Sequence, residues 1–278
     1  MLYPGFSILP RSVFWSADFN GRSDNLDVMR LRPMKIEQVF VQAKDGAPED
    51  EAFYKAWHGF RKRKIECTLV DAEVIENGTL QLSRSTLVAG GIRTVENAMR
   101  RIGMKSPIAN NLPDELSGYF GRSIVKTTLG EVRKKWNSGK CQFCFLKPLD
   151  QNKLFPAIAL FDPDDLASLS SHSGDTRVIV SDYVLFESEW RVFVIDREII
   201  GMSHYQGDCF SYPDASTIKS AIGDFHSAPA GYGIDFGVLA SGETVLVEAN
   251  DGYSLGSYSL NSVDYSRLLE ARWAELAA

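Results

Sequence analysis

Three oxygen-bearing side chains late in the sequence are spaced to meet on one face of a β-hairpin. Two alternating runs in the segment 233–250 flank Ser241-Gly242, a pair typical of a two-residue hairpin turn. A hairpin centred there places Asp235 directly opposite Glu248, and Asn250 shares their face because side chains alternate along a strand. The other face is expected to be apolar and to carry Phe236, Val238, Val245 and Val247.

Two carboxylates that face each other across a strand pair repel, so this pairing needs a physical reason. A divalent cation would hold them together, and Asp, Glu and Asn oxygens favour Mg²⁺, which usually also binds substrate phosphates. Alternatively, the hairpin presents a polar edge to solvent, where exposure relaxes the repulsion. A register shift of one residue would separate the pair, so the geometry is a prediction.

A second predicted hairpin carries an acid and a base that could recognise a nucleotide. It spans 189–202, with its turn at Asp196-Arg197, and it places Glu189 and Arg191 on one face. The two side chains could form a solvated ion pair. They could also be an acceptor for sugar hydroxyls beside a phosphate clamp, because the planar fork of arginine matches phosphate oxygens.

Two lysines lie near predicted strands of the same region. Lys147 ends the apolar run 143–146 and precedes Pro148, which is typical of a phosphate-facing lysine but also of any strand that leaves the core. Lys153 lies in the polar loop 149–153, ahead of another apolar run. A loop of that kind between two strands could fold over phosphates.

The predicted secondary structure that positions these residues differs between the first third of the chain and the rest. Up to Ile102, strands alternate with helices over 49–64 and 94–102, which predicts a small parallel α/β sheet. Gly90-Gly91, before the second helix, could be a phosphate-binding turn, but it lacks the three-glycine spacing of a dinucleotide fingerprint and is interpreted as a tight turn. A Pro/Asn-rich connector over 104–113 marks the expected domain boundary, and eight short β-branched or aromatic runs after it predict an α+β region of antiparallel hairpins.

Composition limits the class of protein. The chain has 278 residues, of which 44% are hydrophobic and 24% charged, as expected for a globular enzyme rather than a disordered chain. A formal charge of −6 argues against a protein that wraps nucleic acid. No apolar run reaches the roughly 18 residues that span a bilayer, and residues 1–5 lack the features of a signal peptide.

The four cysteines do not form a disulfide scaffold in a chain of this length, so we expect a cytoplasmic protein with buried, reduced thiols. Cys141 and Cys144 have the spacing of half a zinc site or of a redox pair. They lie in a predicted strand, where positions three apart point to opposite faces, and no second Cys/His pair completes a site.

Four segments, taken in order, resemble the ATP-grasp superfamily of carboxylate–amine ligases over roughly 113–258. They are Phe145-Leu-Lys-Pro148, Val180-Ser-Asp-Tyr-Val184 with the Glu189 strand, Ile234-Asp-Phe-Gly-Val238, and Val247-Glu-Ala-Asn250. The chain looks most like the short bacterial and phage members whose substrates are unassigned, which carry stretches like Pro113-Asp-Glu-Leu116, Gly121-Arg122 and Asn250–Gly256.

The resemblance implies an ATP-grasp fold in which two β-rich lobes clasp ATP, preceded by a small Rossmann-like domain. The implied divisions are a pre-ATP-grasp domain over 1–105, an N-terminal lobe over 106–180 and a C-terminal lobe with the metal site over 181–278. ATP and Mg²⁺ are the implied cofactors.

The resemblance also implies residue roles. The phosphates would meet Lys147, the flap lysine Lys153, Arg191 near the γ-phosphate, and Arg122, which is favoured over Lys126 as the upstream cation. Adenine would meet the hinge formed by Ser181, Asp182, Tyr183 and Val184, and Glu189 would accept from the ribose. Asp235, Glu248 and Asn250 would hold one or two Mg²⁺ ions. The flap over 149–155 departs from the superfamily because it contains no glycine.

The implied reaction is amide formation through an acyl phosphate, on an amino acid, a peptide or a protein terminus. The predicted partners are small-molecule or peptide carboxylates and amines, without nucleic acid or membrane, and the chain could form oligomers. Two alternatives stay open: a nucleotide-binding regulatory protein that does not ligate, and a phosphotransferase on the same scaffold. The residues that could select substrate are His204, Tyr205, Asp208, Asp251, Tyr253, Ser254 and Tyr258. His204 could instead be an ordinary strand histidine, and Tyr253 and Tyr258 could be packing residues.

Overall fold

The computed structural model describes residues 34–140, 143–149 and 154–278. Three four-stranded sheets follow one another along this part of the chain. Cys141, Lys153 and most of the flap lie outside the described residues, as does the start of the chain. Cys144 is buried as expected, but Cys209 is exposed, so the expectation of buried thiols is wrong for Cys209.

The first sheet is built by the alternation of strands and helices that the sequence predicts. Strands β1, β3 and β4 are parallel in the order β3-β1-β4, and the short β2 pairs antiparallel with the end of β1. Asp50 caps the first helix by accepting from the backbone N–H of Phe53 at 2.8 Å. The elements are β1 Gln38–Lys44, β2 Ala47–Pro48, α1 Glu51–Lys62, β3 Glu66–Asp71, α2 Ala72–Glu76, β4 Thr86–Ala89 and α3 Ile92–Arg101.

The second sheet is antiparallel, in the order β5-β8-β6-β7. Its core is made by the apolar residues of β6, β7 and β8 together with Leu129 and Val132 of the helix that covers it. The elements are β5 Ile124–Thr128, α4 Leu129–Asn137, β6 Cys144–Pro148, β7 Ile158–Leu160, α5 Pro163–Ala167 and β8 Arg177–Asp182.

The third sheet is antiparallel, in the order β10-β9-β11-β12. The predicted hairpin over 189–202 is confirmed: Ile195 pairs with Glu198, and Asp196 and Arg197 form the turn with positive φ angles of 47° and 70°. The elements are β9 Ser188–Ile195, β10 Glu198–Gly207, α6 Ala215–Asp224, β11 Gly231–Val238, β12 Thr244–Asp251 and α7 Ser262–Ala277.

The pairing of Asp235 with Glu248 is confirmed, but the register that leads to it differs from the prediction. Next to the turn, Phe236 pairs with Leu246, one residue out of the predicted register, and a bulge at Val247 restores the predicted pairing. The prediction that Val245 and Val247 share the apolar face of Phe236 is therefore wrong. Leu246 takes that place in the core.

The first sheet shares its core with the third part of the chain. Residues of β1, β4 and α3 pack in one apolar cluster with Leu268, Leu269 and Trp273 of α7. Helix α7 was not predicted from the sequence, because its buried face also contains Ser266 and Arg272, which interrupt the apolar pattern. The parallel sheet is thus present. The Rossmann-like assignment and the boundaries 1–105, 106–180 and 181–278 remain predictions.

No helix in the described part of the chain is both long and apolar enough to span a membrane.

Candidate functional site

Two cavities meet between the second and third sheets. The hinge cavity has a volume of ≈ 290 Å³ and is lined by Ser181–Phe186, Glu189 and Arg122. The loop cavity has a volume of ≈ 310 Å³ and is lined by Arg191, Asn250 and the segment 251–256. Lys147 and Glu248 line both cavities, so this pair lies at their junction.

Lys147 and Glu248 form an ion pair with 2.9 Å between Nζ and Oε2. β6 brings the lysine from the second sheet, and β12 brings the glutamate from the third. Burial by itself would raise the pKa of Glu248, but Lys147 and a hydrogen bond from Asn250 outweigh it and lower the pKa. Glu248 is therefore held ionised at the point where the two cavities join.

Arg191 and Asp235 form a second, deeper pair. Nε and Nη2 of the guanidinium donate to Oδ1 and Oδ2 of the carboxylate at 2.7 and 2.6 Å. Asp235 is 2% exposed, so the alternative of a solvent-facing polar edge is wrong for this residue. Burial raises the pKa of Asp235 to about 6, assisted by Glu248 and Glu189, although Arg191 acts to lower it.

Asn250 joins the two ion pairs. Its Nδ2 donates to Oδ2 of Asp235 at 3.2 Å and to Oε1 of Glu248 at 3.0 Å, so the three predicted metal ligands converge as expected. The two opposed carboxylates are neutralised by Arg191 and Lys147, which means that their pairing does not by itself require a metal ion.

The donor set nevertheless suits a hard cation. Within the described ranges no three His, Cys, Asp or Glu side chains form a metal-binding group. Here the third donor is an amide. Turning the Asn250 amide about its last torsion exchanges oxygen for nitrogen and would direct a third oxygen to the point where Asp235 and Glu248 meet. These are the ligands that Mg²⁺ prefers, so the residues fit the predicted ion.

Glu189 lies in the wall of the hinge cavity but does not pair with Arg191. Its Oε2 accepts from the Tyr205 hydroxyl at 2.7 Å. The predicted hinge residues line the same cavity. Ser181, which is buried, and Asp182 are the last two residues of β8, and Tyr183 and Val184 come directly after the strand. The structure thus brings the predicted adenine hinge and ribose acceptor to one cavity.

Arg122 also lines the hinge cavity, but its guanidinium is used by the backbone. Nη1 donates to the carbonyls of Phe120 and Leu246 at 2.9 and 2.6 Å, and Nη2 donates to that of Val247 at 2.9 Å. It therefore clamps the β12 bulge that restores the pairing of Asp235. The alternative cation, Lys126, pairs at the surface with Asp114 at 2.6 Å. A phosphate contact by Arg122 stays a prediction.

The structure adds residues that the sequence analysis missed. Nδ2 of Asn111 donates to the carbonyl of Ala249 at 3.0 Å, and Arg272 grips both oxygens of Asp251. Asn111 lies in the Asn-rich connector, which could have drawn attention to it. No sequence signal marked Arg272, because its partner is 21 residues away and the helix that carries it was not predicted.

Comparisons with known proteins identify a domain family and a fold. A model of the ATP-grasp domain, family 2 of the R-2-K clade, matches residues 119–268. No curated protein matches significantly.

Three solved structures show the same fold at low identity. The ATP-grasp ligase PsnB, complexed with a minimal precursor, is 15% identical, with a TM-score of 0.51 and coverage of 87% of this chain and 100% of its own. D-cycloserine synthetase DcsG is 13% identical, with a TM-score of 0.57 and coverage of 85% and 99%. D-alanine–D-alanine ligase from Bacillus anthracis, complexed with ATP, is 14% identical, with a TM-score of 0.51 and coverage of 86% and 96%.

Proposed function

The chain belongs to family 2 of the R-2-K clade of ATP-grasp domains, and we propose on that premise that it is an ATP- and Mg²⁺-dependent ligase that joins a carboxylate to an amine. One observation carries the proposal: Lys147 and Glu248 lie where the hinge cavity meets the loop cavity. A reaction between a nucleotide and a second substrate needs such a junction.

The nucleotide would occupy the hinge cavity. Its adenine would meet the backbone of Ser181–Val184, and its ribose hydroxyls would donate to Glu189. The phosphates would then extend toward Lys147 and Arg191. Asp235, Glu248 and Asn250 would hold Mg²⁺, which neutralises phosphate charge when it is bound.

The carboxylate substrate would occupy the loop cavity, next to the terminal phosphate. Its oxygen attacks the γ-phosphorus, the bond from that phosphorus to the β,γ-bridging oxygen breaks, and ADP leaves. The amine nitrogen then attacks the acyl carbon, phosphate leaves with the electron pair of the C–O bond, and the nitrogen releases a proton. Lys147 and Arg191 suit this chemistry because phosphoryl transfer depends on positioning and charge stabilisation.

The substrate class follows by analogy with the similar structures, which are a ligase complexed with a minimal precursor, D-cycloserine synthetase and D-alanine–D-alanine ligase. An amino acid or a peptide is therefore the proposed substrate. We expect the reaction in the cytoplasm, where ATP is available. Lys153 is the proposed flap lysine, and it lies outside the described residues.

One observation favours the non-ligating alternative. Both candidate carboxylates are already neutralised by side-chain cations of the protein. A protein that only binds a nucleotide could keep these ion pairs for stability alone.

Incubation with ATP, Mg²⁺ and pooled amino acids and short peptides tests the proposal. A ligase releases ADP and phosphate and forms a product whose mass is the sum of two substrates less one water. ATP binding without ADP release would indicate a binding protein, and a phosphorylated product would indicate a phosphotransferase. The variant Glu248→Gln should lose turnover, while Glu243→Gln, at the exposed turn of the same hairpin, should keep it.

A further inference from the structure

Two tyrosines lie against the charged residues of the site and against each other. The rings of Tyr205 and Tyr258 have centroids 5.4 Å apart and planes inclined by 31°. Each tyrosine contacts a different charged side chain. The hydroxyl of Tyr205 donates to Glu189, and the ring of Tyr258 lies 4.9 Å from Cζ of Arg191.

Tyr205 reaches Glu189 because β10 contains a bulge at this point. His204 pairs with Trp190 and Gln206 pairs with Glu189, which leaves Tyr205 as the extra residue. Its O–H···Oε2 distance is 2.7 Å, a bond to a charged acceptor. Since Glu189 lines the hinge cavity, this bond fixes the direction in which the carboxylate faces that cavity.

Tyr258 has a left-handed backbone, with φ of 40°, which is unfavourable for a residue other than glycine. Neighbouring contacts hold it there. Lys55 donates to its carbonyl oxygen, the Ser203 and Ser259 hydroxyls lie 2.5 Å apart, and Leu260 is buried. This loop therefore keeps an unfavourable conformation that places the ring on Arg191.

The Tyr258 ring covers one face of the Arg191 guanidinium, whereas Asp235 binds its edge. Asp235 takes Nε and Nη2 of Arg191, which leaves Nη1 beside the loop cavity. Gly256 lies on this side, where a β-carbon would be in ordinary van der Waals contact with Nη1 at 3.9 Å. Attraction between the cation and the aromatic ring then fixes the plane of the guanidinium.

We propose that Tyr205 and Tyr258 are positioning residues that act as one unit through the contact between their rings, aiming Glu189 at the ribose and Arg191 at the terminal phosphate of the nucleotide. The inference rests on the proposed function, because it takes the nucleotide to lie across both cavities. The pair links the two recognition points, which lie two residues apart on β9.

Nucleotide titrations of the full chain with Mg²⁺ test this inference without any knowledge of the second substrate. The probes are ATP, 2′,3′-dideoxyATP and ADP. Tyr205→Phe keeps the contact between the rings but removes the hydrogen bond, so the preference for ATP over the dideoxy analogue should fall about tenfold while the preference for ATP over ADP stays. Tyr258→Leu should instead lower the preference for ATP over ADP about fivefold, and Tyr258→Phe should restore it.

Two further variants separate positioning from folding. Tyr258→Gly relieves the left-handed backbone, so it should keep or raise the melting temperature and still lose the preference for ATP over ADP. Tyr212→Phe is the matched control, since the Tyr212 ring also packs against an aromatic ring, that of Trp190 with centroids 4.9 Å apart, and Tyr212 is 63% exposed. It should change neither preference.

The outcomes distinguish the two proposals. Wild-type protein that binds none of the nucleotides would overturn the proposed function and this inference with it. Wild-type protein that binds ATP, with variants that keep both preferences or weaken all three nucleotides equally, would overturn the positioning role alone.

Discussion

Asp235 of β11 lies directly opposite Arg191 of β9 in the strand register, and on its other side it lies directly opposite Glu248 of β12. One row of side chains across three strands thus carries a cation and two anions, and Lys147 completes it from the second sheet. The charges balance within the row. The site can therefore exist as a neutral, folded arrangement before any phosphate arrives.

Loss of Arg191 should destabilise the fold because it leaves Asp235 buried without a counter-charge. We expect Arg191→Ala to lower the free energy of unfolding by about 3–5 kcal/mol, measured by urea titration. Arg267→Ala is the control. Its ion pair with Asp264 spans 3.6 Å and its side chain is 62% exposed, so the change should stay below about 1 kcal/mol. Equal losses in both variants would contradict this role of Arg191.

Lys147 should matter for the phosphates rather than for the nucleoside. Lys147→Met is expected to weaken ATP binding at least about tenfold, because Glu248 then repels the phosphates, and to leave adenosine binding unchanged. Calorimetric titration with both ligands measures the difference. Lys134→Met, at a side chain that is 76% exposed, provides the comparison and should bind like the wild type. A parallel loss of adenosine binding would point to misfolding instead.

Trp273 should couple the first and third sheets. It is 1% exposed, and its Nε1 donates to the carbonyl of Arg84 at 2.9 Å. Trp273→Ala should cost about 3–5 kcal/mol, whereas Tyr54→Ala, at a ring that is 48% exposed, should cost far less. Because the core is shared, unfolding followed by fluorescence and by circular dichroism should give one coincident transition. Two separate transitions would show that the first sheet folds independently.

Alkaline pH should destabilise the protein through its buried phenols. Burial raises the pKa of Tyr232 to about 12, and burial also raises the pKa of Tyr205 and of Tyr265. These groups ionise near pH 10 in the unfolded chain, so their contribution is complete below about pH 10 and is lost as pH rises through the folded-state pKa.

Urea titrations at pH 8, 10 and 11, with tyrosinate absorbance at 295 nm, measure this effect. We expect the free energy of unfolding to fall above pH 10, with part of the absorbance appearing only on unfolding. Tyr265→Phe should reduce the slope. A stability that stays constant to pH 11 would exclude this role of the buried phenols.

Local spacing was enough to predict the acidic face of the site. Asp235, Glu248 and Asn250 lie close in sequence, and strand alternation determines which side each faces. The prediction succeeded through two deviations that cancel, because the turn closes one residue out of register and the bulge at Val247 compensates. A bulge depends on the contacts of the folded chain, here the carbonyls that Arg122 binds, so spacing could not reveal it.

The cations of the site could be identified by type but not by partner. Arg191 reaches Asp235 only because β9 lies next to β11 in the sheet, an order that depends on tertiary packing. Lys147 reaches Glu248 only because two separate sheets meet. α7 was missed for a related reason: its buried face includes Arg272, whose partner Asp251 lies in another element.

The bulge at Val247 determines which face of β12 carries Glu248, and so keeps Glu248 on the same face of the sheet as Asp235. An insertion or deletion of one residue within the paired part of β11 or β12 would turn the side chains of Glu248 and Asn250 toward the apolar core. It would also turn Val247 toward the charged face of the sheet. Related sequences should therefore vary the length of this hairpin only between Val238 and Thr244, where the loop lies outside the paired strands. Arg122 stabilises the bulge that sets this register, because its guanidinium donates to the carbonyls of Leu246 and Val247.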